Sequence, residues 1–156
     1  MPKLTKKEKD IVEELSIDLQ KEIEKKYKKL IKWGPYPSKY NFGFRFGIED
    51  VFNNYAIRLK QQNDLGLSIG ITIDSDYDFF EYLKDKNNIT FLEEEIKEIL
   101  KYSEGNNTHK RIYFDYLIDL NKITDCDRKI LLCELSYKAT LLMKAVSKLH
   151  EKYKTI

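Results

Sequence analysis

The stretch Gly66-Leu-Ser-Ile-Gly-Ile-Thr-Ile-Asp74 alternates at a period of two. Leu67, Ile69, Ile71 and Ile73 fall on one face, and Gly66, Ser68, Gly70 and Thr72 on the other. Residues 40–48 repeat the pattern, with Tyr40, Phe42, Phe44, Phe46 and Ile48 set against Asn41, Gly43, Arg45 and Gly47. Strands with one oily face and one small or polar face belong to an antiparallel sheet covered on one side. The segment 48–61 between them reads two ways. Ile48, Val51, Phe52, Tyr55, Ala56 and Leu59 fit a helical stripe, whereas Val51, Asn53, Tyr55, Ile57 and Leu59 alternate. A strand over 53–61 is preferred, because Gln62-Asn-Asp64 then turns the chain into the strand at 66–74. Ile112, Phe114, Tyr116 and Ile118 alternate again, which predicts a strand over 111–118.

Helices flank this meander. Thr5 and Glu8 form a capping box, and Ile11, Val12, Leu15, Leu19, Ile23, Tyr27, Leu30 and Ile31 recur at helical spacing. A first helix is therefore expected over 5–32, stopped by Gly34 and Pro35, with Gly34-Pro-Tyr-Pro37 as a rigid extended connection. Ser75 or Asp76 is expected to cap a short helix carrying Phe79, Phe80 and Leu83, broken at Asn87-Asn88. A second capping box, Thr90 with Glu93, predicts a helix that buries Leu92, Ile96, Ile99 and Leu100 and ends at Gly105. A long helix from Thr124 or Asp125 to about residue 153 carries Leu131, Leu135, Leu142, Val146, Leu149 and Tyr153.

The fold class that follows is α+β. It has an antiparallel sheet of a three-strand meander plus one later strand, with long N- and C-terminal helices and two short helices packed on one face. No linker or repeat divides residues 1–156, so one domain is expected, and a chain of this length can bury a core without disulfide or metal. Eleven tyrosines and eight phenylalanines exclude a disordered chain. Cys126 and Cys133 lie two helical turns apart, about 10 Å along the axis, too far for a disulfide. They read as small core residues or free thiols. No signal peptide and no spanning run is seen, so a cytoplasmic protein without membrane contact is expected.

The net charge is only +2, but its distribution is uneven. Lys25, Lys26, Lys28, Lys29, Lys32, Lys39 and Arg45 occur within 25–45 with no acid, a basic patch interleaved with Tyr27, Trp33, Tyr36 and Tyr40. Lysines neutralise phosphates and aromatic rings stack on bases or anchor a protein partner. The candidate binding residues are therefore Lys25, Lys28, Lys29, Lys32, Trp33, Tyr36, Lys39, Tyr40 and Arg45. The plain alternative is a solvated helix face, with these lysines paired to Glu22 and Glu24. Residues 74–104 form the opposite, acidic region, with ten acids against four lysines. Glycines on the polar faces of the strands mark a bulge or room for something to approach the sheet.

Asp74, Asp76 and Asp78 are the weak candidate for a metal site, since hard cations take clustered oxygens. A calcium loop fails there, because Phe79 stands where glycine is required and Asp85 where glutamate is expected. Strand termination and helix capping explain the three aspartates more simply. His109 and His150 have no Cys or Glu at zinc-ligand spacing and read as surface or capping residues. No phosphate loop or nucleophile elbow is present. The order of elements from Asp74 through Phe79-Phe-Glu-Tyr-Leu-Lys84 to Arg111–Ile118 is similar to uncharacterised domains that accompany restriction-type nucleases. The proline-acid and acid-x-lysine signature of those nucleases is missing, so the resemblance implies no activity.

The motifs argue against an enzyme and against a cofactor. A small protein-binding factor of inhibitor, immunity or antitoxin-like type fits the compact size, segregated charge and abundant tyrosine, since aromatic residues are enriched at interfaces. Nucleic-acid binding through 25–45 is the alternative, and a metal-dependent nuclease at Asp74–Asp78 comes third.

Overall fold

The computed structural model describes residues 5–26, 31–37, 42–48, 51–61, 66–73, 77–104 and 110–156, with the strands before residue 62 described by backbone and pairing alone. These residues form α1 (Lys6–Lys26), β1 (Ile31–Pro37), β2 (Phe42–Ile48), β3 (Val51–Gln61), β4 (Gly66–Ile73), α2 (Tyr77–Leu83), α3 (Lys86–Ile96), β5 (Lys101–Ser103), β6 (Lys110–Leu117) and α4 (Asp125–Lys154). The class is α+β, as the alternating segments imply. The sheet has six strands in the order β1-β2-β3-β4-β6-β5, every neighbour antiparallel.

The apolar face of the sheet meets the helices. Leu67, Ile69, Ile71 and Ile73 of β4 and Ile112 and Phe114 of β6 are fully buried in one cluster. Val12, Leu15, Leu19 and Ile23 of α1 join it, with Phe79, Phe80 and Leu83 of α2, Leu92 and Ile96 of α3, and the inner stripe of α4. The α1 axis crosses β1, β2 and β3 and also packs on α4. Both long helices start as their sequences dictate. The Glu8 N–H donates to Thr5 Oγ1 at 3.2 Å while the Thr5 N–H donates to Glu8 Oε1 at 2.9 Å. At α4, the Asp127 N–H donates to Thr124 Oγ1 at 3.1 Å and the Thr124 N–H to the Asp127 carboxylate at 3.2 Å. The Thr124 hydroxyl and backbone bonds hold the Asp127 carboxyl below its usual range.

Four expectations are corrected. Helix α1 ends at Lys26, and Ile31–Pro37 is a strand rather than helix end and connection. Ile31, Trp33 and Tyr36 favour strand, and β1 lies at the sheet edge, where Pro35 and Pro37 remove no needed ladder donor. The register irregularity between Trp33 and Tyr36 falls at Gly34 and Pro35. Second, α3 starts a turn early, because Asp85 caps it by accepting the Asn87 N–H at 3.2 Å. Thr90 is then interior, donating to the Lys86 carbonyl at 2.9 Å. Third, α3 stops at Ile96 with Lys97 left-handed at φ 55°, so Ile99 is 80% exposed instead of buried. The chain continues into β5, a three-residue strand too short to show a period. Fourth, all eight residues of β4 are buried, so the sheet is not bare on its polar side there.

Tyr27, Leu30, Asp74, Ser75, Asp76 and the turns expected at 62–64 and 105–107 lie outside the described residues.

Candidate functional site

The pairing register assembles the polar face of the sheet from residues far apart in the chain. One row runs Trp33, Arg45, Ala56, Thr72, Arg111, Ser103 across β1, β2, β3, β4, β6 and β5. The next row runs Tyr36, Gly43, Arg58, Gly70, Tyr113, Lys101. A third places Lys60, Ser68 and Asp115 level with one another. Directly opposed residues share a face, so among the paired positions of the described residues these rows hold Arg45, Arg58, Lys60, Lys101 and Arg111 against Asp115. The whole chain is only +2, which leaves the remaining surface net negative.

On β6 the side chains define this face in detail. The Arg111 guanidinium lies 5.0 Å from the Tyr113 ring centroid, a cation–π stack. Lys101 of β5 donates to the Asp115 carboxylate, and that hydrogen bond raises the ammonium's pKa. Tyr113 sits over Gly70, where an added Cβ would lie 2.7 Å from the Tyr113 Cα. The room expected at Gly70 is therefore filled by β6 itself. Beside it, Ser68 Oγ and Thr72 Oγ1 are buried with no hydrogen-bond partner. A buried unsatisfied hydroxyl costs about 1–3 kcal/mol. Thr72→Val keeps the shape and the β-branch while removing that group. It is expected to stabilise the protein by about 1 kcal/mol, raising the thermal midpoint by roughly 2–4 °C; an unchanged or lower midpoint in a melting curve contradicts this.

The sequence-derived candidates divide accordingly. Trp33, Tyr36 and Lys32 lie on β1 and Arg45 on β2, so the register carries three of them into the basic rows. Lys25 is exposed near the end of α1 and paired to Glu22 at 3.2 Å, the plain solvated-face arrangement. Lys28, Lys29, Lys39 and Tyr40 lie outside the described residues. Arg58, Arg111 and Tyr113 were not among the candidates. Arg111 and Tyr113 alternate against Ile112 and Phe114 in a strand the sequence already shows, and that alternation is the signal for them.

Of the metal candidates, Asp74 and Asp76 lie outside the described residues, and Asp78 is exposed in the first turn of α2. No group of three metal-ligating side chains occurs among the described residues. Lys84 is taken by Glu104 at 2.8 Å, whose hydrogen bond raises its pKa. His109 lies outside the described residues, and His150 is a correction: only 2% exposed, it packs edge-on to Phe79 at 4.9 Å rather than lying at the surface.

The outer face of α4 is a second surface, which the sequence reading missed. Cys126, Ile130, Cys133 and Tyr137 recur at steps of four, three and four residues, opposite the buried stripe of Leu131, Leu135, Leu142 and Leu149. Ile130 is 56% and Tyr137 63% exposed, and both cysteines are exposed free thiols, the second of the two readings their spacing allowed, and not core residues. The helix is held in place along its side: the Tyr116 hydroxyl donates to Glu134, and Lys138 to Glu98. Burial first, and then the bond to Glu134, push the Tyr116 pKa up to about 12.

No protein-family model, no curated protein and no solved structure matches the chain. No helix among the described residues is long and apolar enough to cross a membrane.

Proposed function

We propose that the chain is a non-enzymatic protein-binding factor, of inhibitor, immunity or antitoxin-like type, whose partner docks on the outer face of α4. The observation that carries this reading is the pair Ile130 and Tyr137, two turns apart on one helix face and each more than half exposed. A large apolar side chain in water is unremarkable singly. Here the two share a stripe with exposed Cys126 and Cys133, on a helix whose opposite side is already satisfied by the core. Tyrosine is also a preferred anchor in protein interfaces, where a few central residues dominate the energy. The sequence motifs point the same way, since none supplies a recognisable nucleophile, phosphate loop or metal set.

The test is affinity capture from the native host, with nuclease treatment to remove partners bridged by nucleic acid. The wild type is expected to retain a protein after nuclease, and Ile130→Asp with Tyr137→Ala to weaken that partner about a hundredfold, two interface anchors at ~1.4 kcal/mol or more each. Both positions are exposed, so circular dichroism of the double variant should match wild type. A partner that the double variant binds equally well, or no nuclease-resistant partner, defeats the α4 assignment.

A further inference from the structure

We infer that the outer edge of β6, at Asp115–Leu117, is a second docking surface. Its occupant is an extended segment of another protein, added as a strand, with apolar residues on the Leu117 side and a basic residue on the Glu134 side. The register shows which backbone groups are open. An added Cβ at Gly70 would meet the Ile112 carbonyl oxygen first, and one at Gly66 the Tyr116 carbonyl oxygen, so both carbonyls face β4. Successive residues of a strand present their N–H and C=O to opposite sides. Those of Tyr113, Asp115 and Leu117 therefore face away from β4. Tyr113 has Lys101 of β5 beside it there. Strand β5 starts at that residue, so Asp115 and Leu117 have no strand beyond them. No turn or loop backbone among the described residues bonds to them either. An opposed antiparallel pair exchanges both of its N–H···O bonds, so these two residues offer a ladder to a strand laid alongside. The far edge of the sheet offers no such run, because Pro35 and Pro37 interrupt β1.

The side chains along the edge set the chemistry of that strand. Residues opposite Asp115 and Leu117 share the face of Leu117, which is 79% exposed, and an apolar residue there covers it. A residue opposite Tyr116 falls on the helix side, where the Tyr116 hydroxyl donates to Glu134. Glu134 is exposed and has no cation in ion-pair range among the described residues. Its neighbours are taken, Glu98 by Lys138 and Asp115 by Lys101. A lysine or arginine complements the one open carboxylate. Main-chain bonds joined to alternate side-chain contacts are how added strands are recognised. A second copy of β6 fits less well, because antiparallel self-pairing about Tyr116 brings two Glu134 carboxylates together on one face.

Fluorescence anisotropy with a labelled probe, acetyl-Val-Lys-Val-Lys-Val-Lys-Val-amide, tests the inference. Saturable binding is expected. On binding, the outward Asp115 and Leu117 amides should exchange more slowly with deuterium, while those of Ile112 and Phe114, already in the ladder with β4, stay as they were. The same peptide N-methylated at every residue should not bind. Leu117→Pro removes an outward N–H that the β4 ladder does not use, so it should keep the fold by circular dichroism and abolish binding. Leu117→Ser keeps that N–H but loses the apolar side chain. It should weaken binding about tenfold, and it repeats the test if the proline variant unfolds. Glu134→Gln should weaken the lysine peptide about 1.5- to 5-fold and leave a valine–serine peptide unaffected. Ile130→Asp with Tyr137→Ala should bind the probe as wild type does, which separates this edge from the outer face of α4. The inference is overturned by no binding at about 1 mM peptide, by binding that survives N-methylation or Leu117→Pro, or by equal affinity for a valine–glutamate peptide. Concentration-dependent dimers in sedimentation that Leu117→Pro removes would also overturn it, assigning the edge to a second copy.

Discussion

Phe79→Ala is expected to remove about 3–5 kcal/mol of folding free energy. Phe79 is fully buried, and its ring is the junction between α2 and the end of α4. It meets His150 edge-on at 4.9 Å, Tyr153 at 5.2 Å and Tyr82 at 6.3 Å between centroids. Truncation to alanine leaves a cavity lined by these rings, and they cannot close over it, because His150 and Tyr153 are fixed by the rigid α4 backbone. The loss therefore has two parts, the transfer of the ring to water and the cavity left behind, with the aromatic contacts adding about 0.5–1.5 kcal/mol per pair. A domain of this size has about 5–15 kcal/mol in total, so the change is a large fraction of it. Urea unfolding should show a much lower midpoint with an unchanged slope, the mark of lost stability rather than an altered unfolded state. Phe79→Leu should cost much less, since it keeps most of the volume. An alanine variant within about 1 kcal/mol of wild type would mean that α2 is not packed as described.

What the sequence revealed and what it concealed have physical reasons. The start of α1 was legible because a capping box is a local motif, complete within four residues, and that of α4 because the capping candidates Thr124 and Asp125 stand just before its apolar stripe. Strands β4 and β6 were legible because each alternates over a full length against a buried core. The end of α1 was not, since Ile31 continues the helical stripe while Ile31-Lys-Trp33 is equally good strand; pairing with β2, a non-local contact, decides between them. The start of α3 was misplaced because two sound caps, Asp85 and Thr90, compete within five residues, and the earlier one wins by adding a helical turn. The polar face shows the same limit more sharply. Trp33, Tyr36 and Arg45 could be singled out as a cluster in sequence, but Arg58, Arg111 and Tyr113 join them only through the register of β2, β3, β4 and β6. The outer stripe of α4 was in plain sight as a second helical period. The inner stripe of leucines already accounts for the helix, so nothing in the sequence demands a second use for the outer one.

That register depends on Gly70, and Gly70→Ala should damage the protein more than any surface change. A Cβ on Gly70 would fall well inside van der Waals distance of the Ile112 carbonyl oxygen and 2.7 Å from the Tyr113 Cα. The obstacle is mostly backbone of the neighbouring strand, which no rotamer change relieves. The two strands must separate, and β4 is central, paired along its length to β3 on one side and β6 on the other. Overpacking a core typically costs about 1–3 kcal/mol. A clash against backbone in the middle of a ladder belongs at or above the top of that range, so the substitution is expected to lose at least about 3 kcal/mol. Gly66 provides the comparison. Its added Cβ would crowd the Tyr116 carbonyl oxygen just as closely and lie 3.0 Å from the Leu117 Cα, but it stands at the first residue of β4 opposite the last of β6. Strand ends can splay without opening the ladder, so Gly66→Ala should cost clearly less than Gly70→Ala. Chemical denaturation of the two variants side by side measures the difference, and equal losses, or a Gly70→Ala protein as stable as wild type, would show that β4 and β6 are not paired in this register.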